Sequence, residues 1–326
     1  MDPVLRIDNL SVSYRDRERT VQAVDGLHLA LERGQTLALV GESGCGKTTV
    51  ALAILNLLPA AGRIHGGRVL LDGQDLLTLG SEDLRKIRGR AISMIFQDPV
   101  SGLNPVMTIG AQVEEIVRTH TSVSKRDSRR IALQALAQQG LANPERLMDA
   151  YPFQLSGGMC QRVMIAIATV LRPRVIIADE PTSALDVTVQ AQILRELDDL
   201  KRDLDASILL ITHDLGVVAQ MADAVAVMYA GRIVEQAAAP PIFERPTHPY
   251  TAALMEARPR LDADRRRLRT IRGAPPDLSE LTGMCAFLPR CSKAISACRS
   301  DPWPALREVS PAHLAACFNP MWHNGA

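Results

Sequence analysis

Gly41-Glu-Ser-Gly-Cys-Gly-Lys-Thr48 sets glycines, a lysine and a hydroxyl at fixed spacing behind the short apolar run Thr36-Leu-Ala-Leu-Val40. The pattern is G-x-x-x-x-G-K-[ST] between a strand and a helix. Glycines let successive backbone N–H groups converge, and the positive end of the following helix adds to them, so the loop is built to cradle a polyphosphate. Lys47 would neutralise the outer phosphates and the Thr48 hydroxyl would ligate Mg²⁺. Gly41, Ser43, Gly44, Cys45, Gly46 and Thr49 complete the expected contact set. Cys45 occupies a free position of the motif and reads as a small filler, although a helix N-terminus can lower a thiol's pKa.

A second chemical group follows an apolar strand. Arg174-Val-Ile-Ile-Ala-Asp179-Glu180 delivers two carboxylates at a strand's C-terminal end, where open α/β sheets place ligands. Asp179 suits the Mg²⁺ shell, and Glu180 suits a general base for an attacking water. Leu155-Ser-Gly-Gly-Met159 opens a helix running to about Leu171, and Ser156, Gly157 and Gly158 offer a hydroxyl and amides to a second anion.

These groups need particular elements behind them. Val4 to Tyr14 and Ala23 to Leu31 alternate apolar and polar residues and read as antiparallel strands. Thr36–Val40 reads as a buried strand and Lys47 to Leu58 as the helix after the loop. Thr108 to Leu171 carries helical periodicity without a convincing strand. The runs Arg174 to Ala178, Ser207 to Ile211 and Ala224 to Met228 are apolar strands separated by helices over Val187 to Leu204 and Asp214 to Met221. Strands alternating with helices indicate a mostly parallel sheet covered on both faces. The pattern breaks near Pro240-Pro241, and a basic run, Arg258 to Arg272, leads into a Pro- and Cys-rich tail.

The chain has 326 residues, a formal net charge of +1 and 47% hydrophobic residues, so it can bury a large core and gives no general basic bias toward nucleic acid. It shows no signal peptide and no uncharged apolar stretch of about 18 residues, and is expected in the cytosol, reaching a membrane through partners. Of six cysteines, Cys285, Cys291, Cys298 and Cys317 crowd the tail. In a reducing compartment four thiolates suggest a metal before disulfides, though four unrelated thiols or partly oxidised pairs fit the composition too. The basic run reads as a solvated linker or helix face, with a membrane or partner surface as the alternative.

Taken in order, the motifs resemble the ATP-binding subunits of ABC transporters. Ser156-Gly157-Gly158 is similar to the ABC signature. Tyr14 is placed like the aromatic that stacks on adenine, and Gln97, after Ile92 to Phe96, like the glutamine that contacts Mg²⁺ and the membrane subunits. Ser183-Ala-Leu-Asp186 resembles the D-loop, and His213 resembles the switch histidine at the γ-phosphate. Gln97-Asp-Pro-Val-Ser-Gly-Leu-Asn-Pro105, the run from Leu155 to Ala166 and His248-Pro-Tyr-Thr251 look like the dipeptide/oligopeptide and nickel importers, with Gly102 and Cys160 as departures. The resemblance implies a RecA-like P-loop α/β core with an antiparallel β subdomain, a helical subdomain over about 98–172 and a small cysteine-rich tail. The nucleotide-binding domain is expected at 1–256 and a C-terminal domain of the oligopeptide-importer type at 257–326.

It also implies ATP hydrolysis with Glu180, His213 and Gln97 as catalytic residues and Thr48, Gln97 and Asp179 on Mg²⁺, with Asp186 among the nucleotide contacts. A [4Fe-4S] cluster on the four tail cysteines is implied, with Zn²⁺ as the alternative. The implied partners are a second, non-identical ATPase, two permeases and an extracytoplasmic binding protein, at the cytoplasmic face of the inner membrane. Nickel or another small solute is the alternative cargo. A soluble ABC ATPase of ribosomes or DNA repair is the rival class, and a P-loop kinase or regulator a further one.

Overall fold

The computed structural model describes residues 2–16, 19–183, 186–257 and 271–321. Most of the basic run (258–270) and two residues of the D-loop-like segment (184–185) lie outside them. Among the described residues the strands are β1 (Leu5–Asp16), β2 (Arg19–Leu31), β3 (Thr36–Val40), β4 (Gly62–Leu71), β5 (Gln74–Asp75), β6 (Ile92–Ile95), β7 (Val175–Asp179), β8 (Ser207–Thr212), β9 (Ala224–Tyr229), β10 (Arg232–Ala238), β11 (Arg307–Ser310) and β12 (His313–Ala315). The α-helices are α1 (Lys47–Ile54), α2 (Ser81–Ile87), α3 (Ile109–His120), α4 (Lys125–Gln138), α5 (Pro144–Leu147), α6 (Gly157–Thr169), α7 (Val187–Leu204), α8 (Leu215–Met221), α9 (Ala239–Glu244), α10 (Pro249–Glu256) and α11 (Ala297–Ser300).

The chain forms two compact units. The first comprises Met1–Val4, Leu31–Gln35 and Thr78–Leu210, and the second Leu5–Ala30, Thr36–Leu77 and Ile211–Ala326. In the first, β6 and β7 pair in parallel, from Ile92 opposite Val175 to Ile95 opposite Ala178. Every residue of both strands is buried, as expected of parallel strands covered on both faces. Helices α3, α4 and α6 enclose a core that includes Ile109, Val113, Ala132, Leu136, Cys160 and Val163. Thr108 and Ser124 cap α3 and α4, their hydroxyls accepting the N–H groups of Ala111 and Asp127.

The second unit holds two sheets. One runs β2-β1-β4-β5, with β4 antiparallel to both β1 and β5. In the other, β3 pairs in parallel with β9, and β10, β12 and β11 add antiparallel strands in that order beyond β9. The cysteine-bearing tail therefore supplies two strands to this sheet, and its Phe287 and Trp303 pack with Val225, Val227 and Tyr229.

Two sequence readings change in extent. The helix read to Leu58 stops at Ile54, because Asn56 turns left-handed (φ 50°) and Pro59 cannot extend it. Pro240-Pro241 opens α9 rather than ending order, since a proline in the first turn loses no helical hydrogen bond. Strands β4, β5, β10, β11 and β12 have no counterpart among the elements expected from the sequence.

Candidate nucleotide site

The phosphate loop leaves the fully buried β3 and turns through Gly41 to Gly46 into α1. Gly46 sits at φ 108°, and a Cβ there would overlap the Ala23 carbonyl, so only glycine fits. At Gly41 a Cβ would overlap the Met228 carbonyl. The loop is fixed to β10's leading turn by the Gly231 N–H donating to Cys45 O at 3.0 Å. Lys47 is buried and donates to Gly41 O (2.7 Å) and Glu42 O (3.0 Å), with Cys45 Sγ at 3.8 Å. Ser43, Gly44 and Thr48 are exposed, presenting the loop's outer side to solvent. Burial pushes the Cys45 thiol up despite the nearby Lys47 ammonium, so the packing-filler reading prevails over that of an activated thiol.

Tyr14, half-buried near the end of β1, shares a hydrogen bond of 3.2 Å with Thr49 Oγ1. His213 is exposed immediately after β8, and Asp214 caps α8, its carboxylate accepting the Gly216 N–H at 2.7 Å.

In the first unit β7 ends on Asp179, which is 1% exposed, and Glu180 follows with φ 46°. A left-handed glutamate costs about 1 kcal/mol or more and marks a position whose side-chain direction is fixed by its surroundings. Gln97, just after β6, donates Nε2–H to Glu180 Oε2 at 2.9 Å. The Ser183 hydroxyl reaches both backbone carbonyls, Gln97 O at 3.1 Å and Glu180 O at 3.0 Å. The structure thus brings Gln97 and Glu180 together, and Ser183, the first residue of the D-loop-like segment, adds a latch between their backbones that motif order alone does not reveal.

Ser156 is the N-cap of α6 and accepts the Met159 N–H at 3.4 Å, while a side chain at Gly157 would meet nothing within 4 Å. The site is an exposed helix N-terminus with open backbone. Asp186 caps α7, accepting the N–H groups of Thr188 and Val189 at 3.1 and 3.0 Å. Of the two departures, Cys160 is a buried filler whose thiol lies 3.5 Å from Pro152 O. Gly102 is hemmed by Met164 Sδ, which any Cβ would approach to 2.9 Å.

Comparison with known proteins decides the family. The ABC transporter profile matches residues 24–183, and the profile of the oligopeptide/dipeptide transporter C-terminal region matches residues 234–298. The chain is 46% identical over 319 residues to the "Probable peptide ABC transporter ATP-binding protein y4tR" of Sinorhizobium fredii, covering 97% of this chain and 95% of that one. It is 45% identical over 320 residues to the oligopeptide transport ATP-binding protein OppD of Escherichia coli, covering 98% and 94%. The chain belongs to the ABC transporter family. A dimeric, post-hydrolysis ATP-binding cassette, MJ0796, solved with ADP and phosphate, matches with a TM-score of 0.65 at 28% identity, over 72% of this chain and 98% of that one.

In this ABC protein the C-terminal match takes in three of the four tail cysteines, Cys285, Cys291 and Cys298. Cys285, Cys291, Cys298 and Cys317 line one cavity together with His248, Phe287 and Lys293. All four are free thiols. Burial raises Cys285 and Cys291 and pushes Cys317 up to about 12, so without a bound cation these three are neutral. Among the described residues no group of three or more His, Cys, Asp or Glu is arranged to hold a single metal ion. Among them, too, no helix is long and apolar enough to cross a membrane.

Proposed function

We propose that this chain is the ATP-hydrolysing subunit of an ABC importer for dipeptides or oligopeptides. The observation that carries the reading is the Gln97–Glu180 hydrogen bond at the end of a buried strand, in a chain that also holds a complete phosphate loop. The C-terminal match over 234–298 and the peptide-transport names of the relatives favour peptide over nickel or another small solute.

The roles follow from the chemistry of each group. Lys47 turns from the carbonyls of Gly41 and Glu42 to the β and γ phosphates, exchanging neutral acceptors for charged ones. The oxygen donors of Thr48, Gln97 and Asp179 suit a hard cation and would hold Mg²⁺, which supplies charge neutralisation on the transferring phosphoryl group. Glu180 takes a proton from the water whose oxygen bonds to the γ-phosphorus as the bond to ADP breaks. His213 holds the γ-phosphate edge.

A second, non-identical ATPase faces Ser156, Gly157 and Gly158, so that this subunit's signature completes the partner's site and the partner's completes its own. ATP moves coupled permeases only by binding the closed pair better than the open one. The subunit is placed peripherally on the cytoplasmic face of the membrane, with two permeases and an extracytoplasmic binding protein. Residues 1–256 form the nucleotide-binding domain, with the helical subdomain at about 98–172, and 257–326 the C-terminal domain.

The tail cysteines hold a [4Fe-4S] cluster. The support is chemical: four thiols around one cavity provide a cluster's donor set, whereas a single Zn²⁺ needs its ligands closer than any described group comes. Bound as thiolates, the cysteines would release protons. Anaerobic purification with iron and sulfide analysis tests this, and a colourless, stoichiometric zinc protein refutes it.

The hydrolytic assignment is tested in the assembled transporter by Glu180→Gln, which should cut turnover by about 1,000-fold while leaving ATP binding. Unchanged turnover removes Glu180 as the base. Identification of the ligand in the co-purifying binding protein decides the cargo.

A further inference from the structure

Glu42 occupies a free position of the phosphate-loop motif, yet each of its polar groups is engaged. Its N–H donates to Tyr250 Oη at 2.9 Å. Its carbonyl accepts from Lys47 Nζ at 3.0 Å and from the Cys45 N–H at 3.3 Å. Its carboxylate takes two bonds from one guanidinium, Arg290 Nη1 to Oε2 at 2.6 Å and Nη2 to Oε1 at 2.9 Å. Arg290 lies 248 residues away in sequence, in the one-turn 3₁₀ helix Leu288–Arg290 next to Cys291.

The guanidinium is itself held. Its Nε donates to Arg272 O at 3.0 Å, its Nη1 lies 3.3 Å from Tyr229 Oη, and it rests beside the Tyr229 and Phe287 rings. The Arg290 side chain is 4% exposed and that of Glu42 23%. A fork pre-organised in this way makes a directional, charge-assisted pair rather than a loose surface contact.

A carboxylate is electrostatically misplaced in a loop that receives phosphates, because like charges oppose binding. Left without Arg290, Glu42 would also compete for the Lys47 ammonium, whose bonds already include the Glu42 carbonyl. We propose that Arg290 and Tyr250 position the phosphate loop through Glu42, and that the Arg290 guanidinium keeps the Glu42 carboxylate from repelling nucleotide phosphates and from drawing Lys47 away. Arg290 is a positioning residue acting through Glu42. The inference rests on the phosphate-binding reading of the loop and extends it to a control point in the C-terminal segment.

The test is a charge-rescue cycle in the full-length chain within its assembled transporter, reading KM for ATP, kcat and thermal midpoint. Arg290→Met should raise KM about tenfold with kcat within about twofold. Glu42→Gln alone should change KM by no more than about threefold, and Glu42→Gln combined with Arg290→Met should return KM to about the Glu42→Gln value. Higher salt should narrow the Arg290→Met defect. Arg290→Lys, which keeps charge but not the fork, should fall between the wild type and Arg290→Met. It provides the readout if Arg290→Met fails to assemble: a Lys variant with wild-type KM refutes the fork, and one as impaired as a Glu42→Gln/Arg290→Lys double variant refutes the screening. A double variant as weak as Arg290→Met alone, or a KM defect that follows the thermal midpoint through all variants, overturns the proposal. Lys47→Ala separates the two levels. If it leaves ATP binding intact, the phosphate-loop reading fails; if it removes binding while Arg290→Met keeps wild-type KM, only the present inference fails.

Discussion

Two helix N-termini in this chain carry the same physical device and finish it differently. Both α1 and α6 begin with orphan N–H groups and the positive end of a helix dipole. At α1 the cap is Gly46 in a left-handed conformation, the first helical residue is a buried lysine, and the preceding loop is hydrogen-bonded on several sides. At α6 the cap is an exposed serine, the first two residues are glycines, and open space lies beside Gly157. The first carries its own cation and backbone cradle. The second offers donors without a counter-charge, as the shared site proposed above requires.

The largest effects should separate the two by where binding is lost. Lys47→Ala should weaken ATP binding by the full-length chain about 100-fold, the value of one charge-assisted contact to phosphate. Ser156→Arg should leave that affinity within about twofold, yet reduce ATPase of the assembled transporter at least about tenfold by obstructing what docks on α6. Equilibrium titration with a fluorescent ATP analogue reads the first, and phosphate release by the complex reads the second. Equal loss of nucleotide affinity in both variants would erase the distinction between a self-sufficient site and a half site.

Glycine substitutions sharpen the same contrast at the level of stability. Gly46→Ala forces an L side chain into φ 108° and drives its Cβ into the Ala23 carbonyl, so a loss of about 2–4 kcal/mol is expected. Gly157→Ala enters open space in a helical first turn, and the higher helix propensity of alanine should hold the change within about 0.5 kcal/mol, with stabilisation as readily as loss. Urea unfolding of the two variants measures the difference. A Gly157 variant as unstable as the Gly46 variant would mean that α6 is packed more tightly than its open surface shows.

Much of this contrast was legible in the sequence, because it depends on short spacing. The apolar run before Gly41, the span Val187–Leu204 of α7 and the Ser156 cap all follow from local periodicity or capping chemistry. The roles proposed for Gln97, Asp186 and His213 follow from motif order, and their geometry does not. What escaped reading depends on long-range pairing. Strand β12 joins β10 through Glu235 opposite Ala315, and Glu42 meets Arg290 across most of the chain; neither partner carries a local signal. The proline pair at 240–241 misled because a helix start and a chain break share the same residues.

The smallest prediction concerns acid. His248 is fully buried and its pKa is depressed to about 4, by desolvation first, against a smaller opposing effect of Glu235. Its Nδ1 accepts the Tyr250 backbone N–H at 3.0 Å, its backbone N–H donates to Glu235 Oε2 at 2.8 Å, and His313 Nε2 lies 2.7 Å from Glu235 Oε1. The unfolded histidine titrates near its ordinary 6.5, whereas the folded one stays neutral down to about 4. Between those values the unfolded state binds the extra proton, so the stability that is present in full above pH 6.5 falls as pH is lowered toward 4. The interval bounds the loss at about 3 kcal/mol. Tyr250 in turn accepts the Glu42 N–H, which ties this titration to the phosphate loop rather than to α6. Amide exchange, taken relative to the intrinsic rate at each pH from 7 to 5, should therefore rise earlier at the α1 N-terminus than along α6, and His248→Asn should flatten the dependence. Equal acceleration at both helices would show that acid acts on the whole chain, and the two N-termini would then differ in chemistry but not in their dependence on the C-terminal segment.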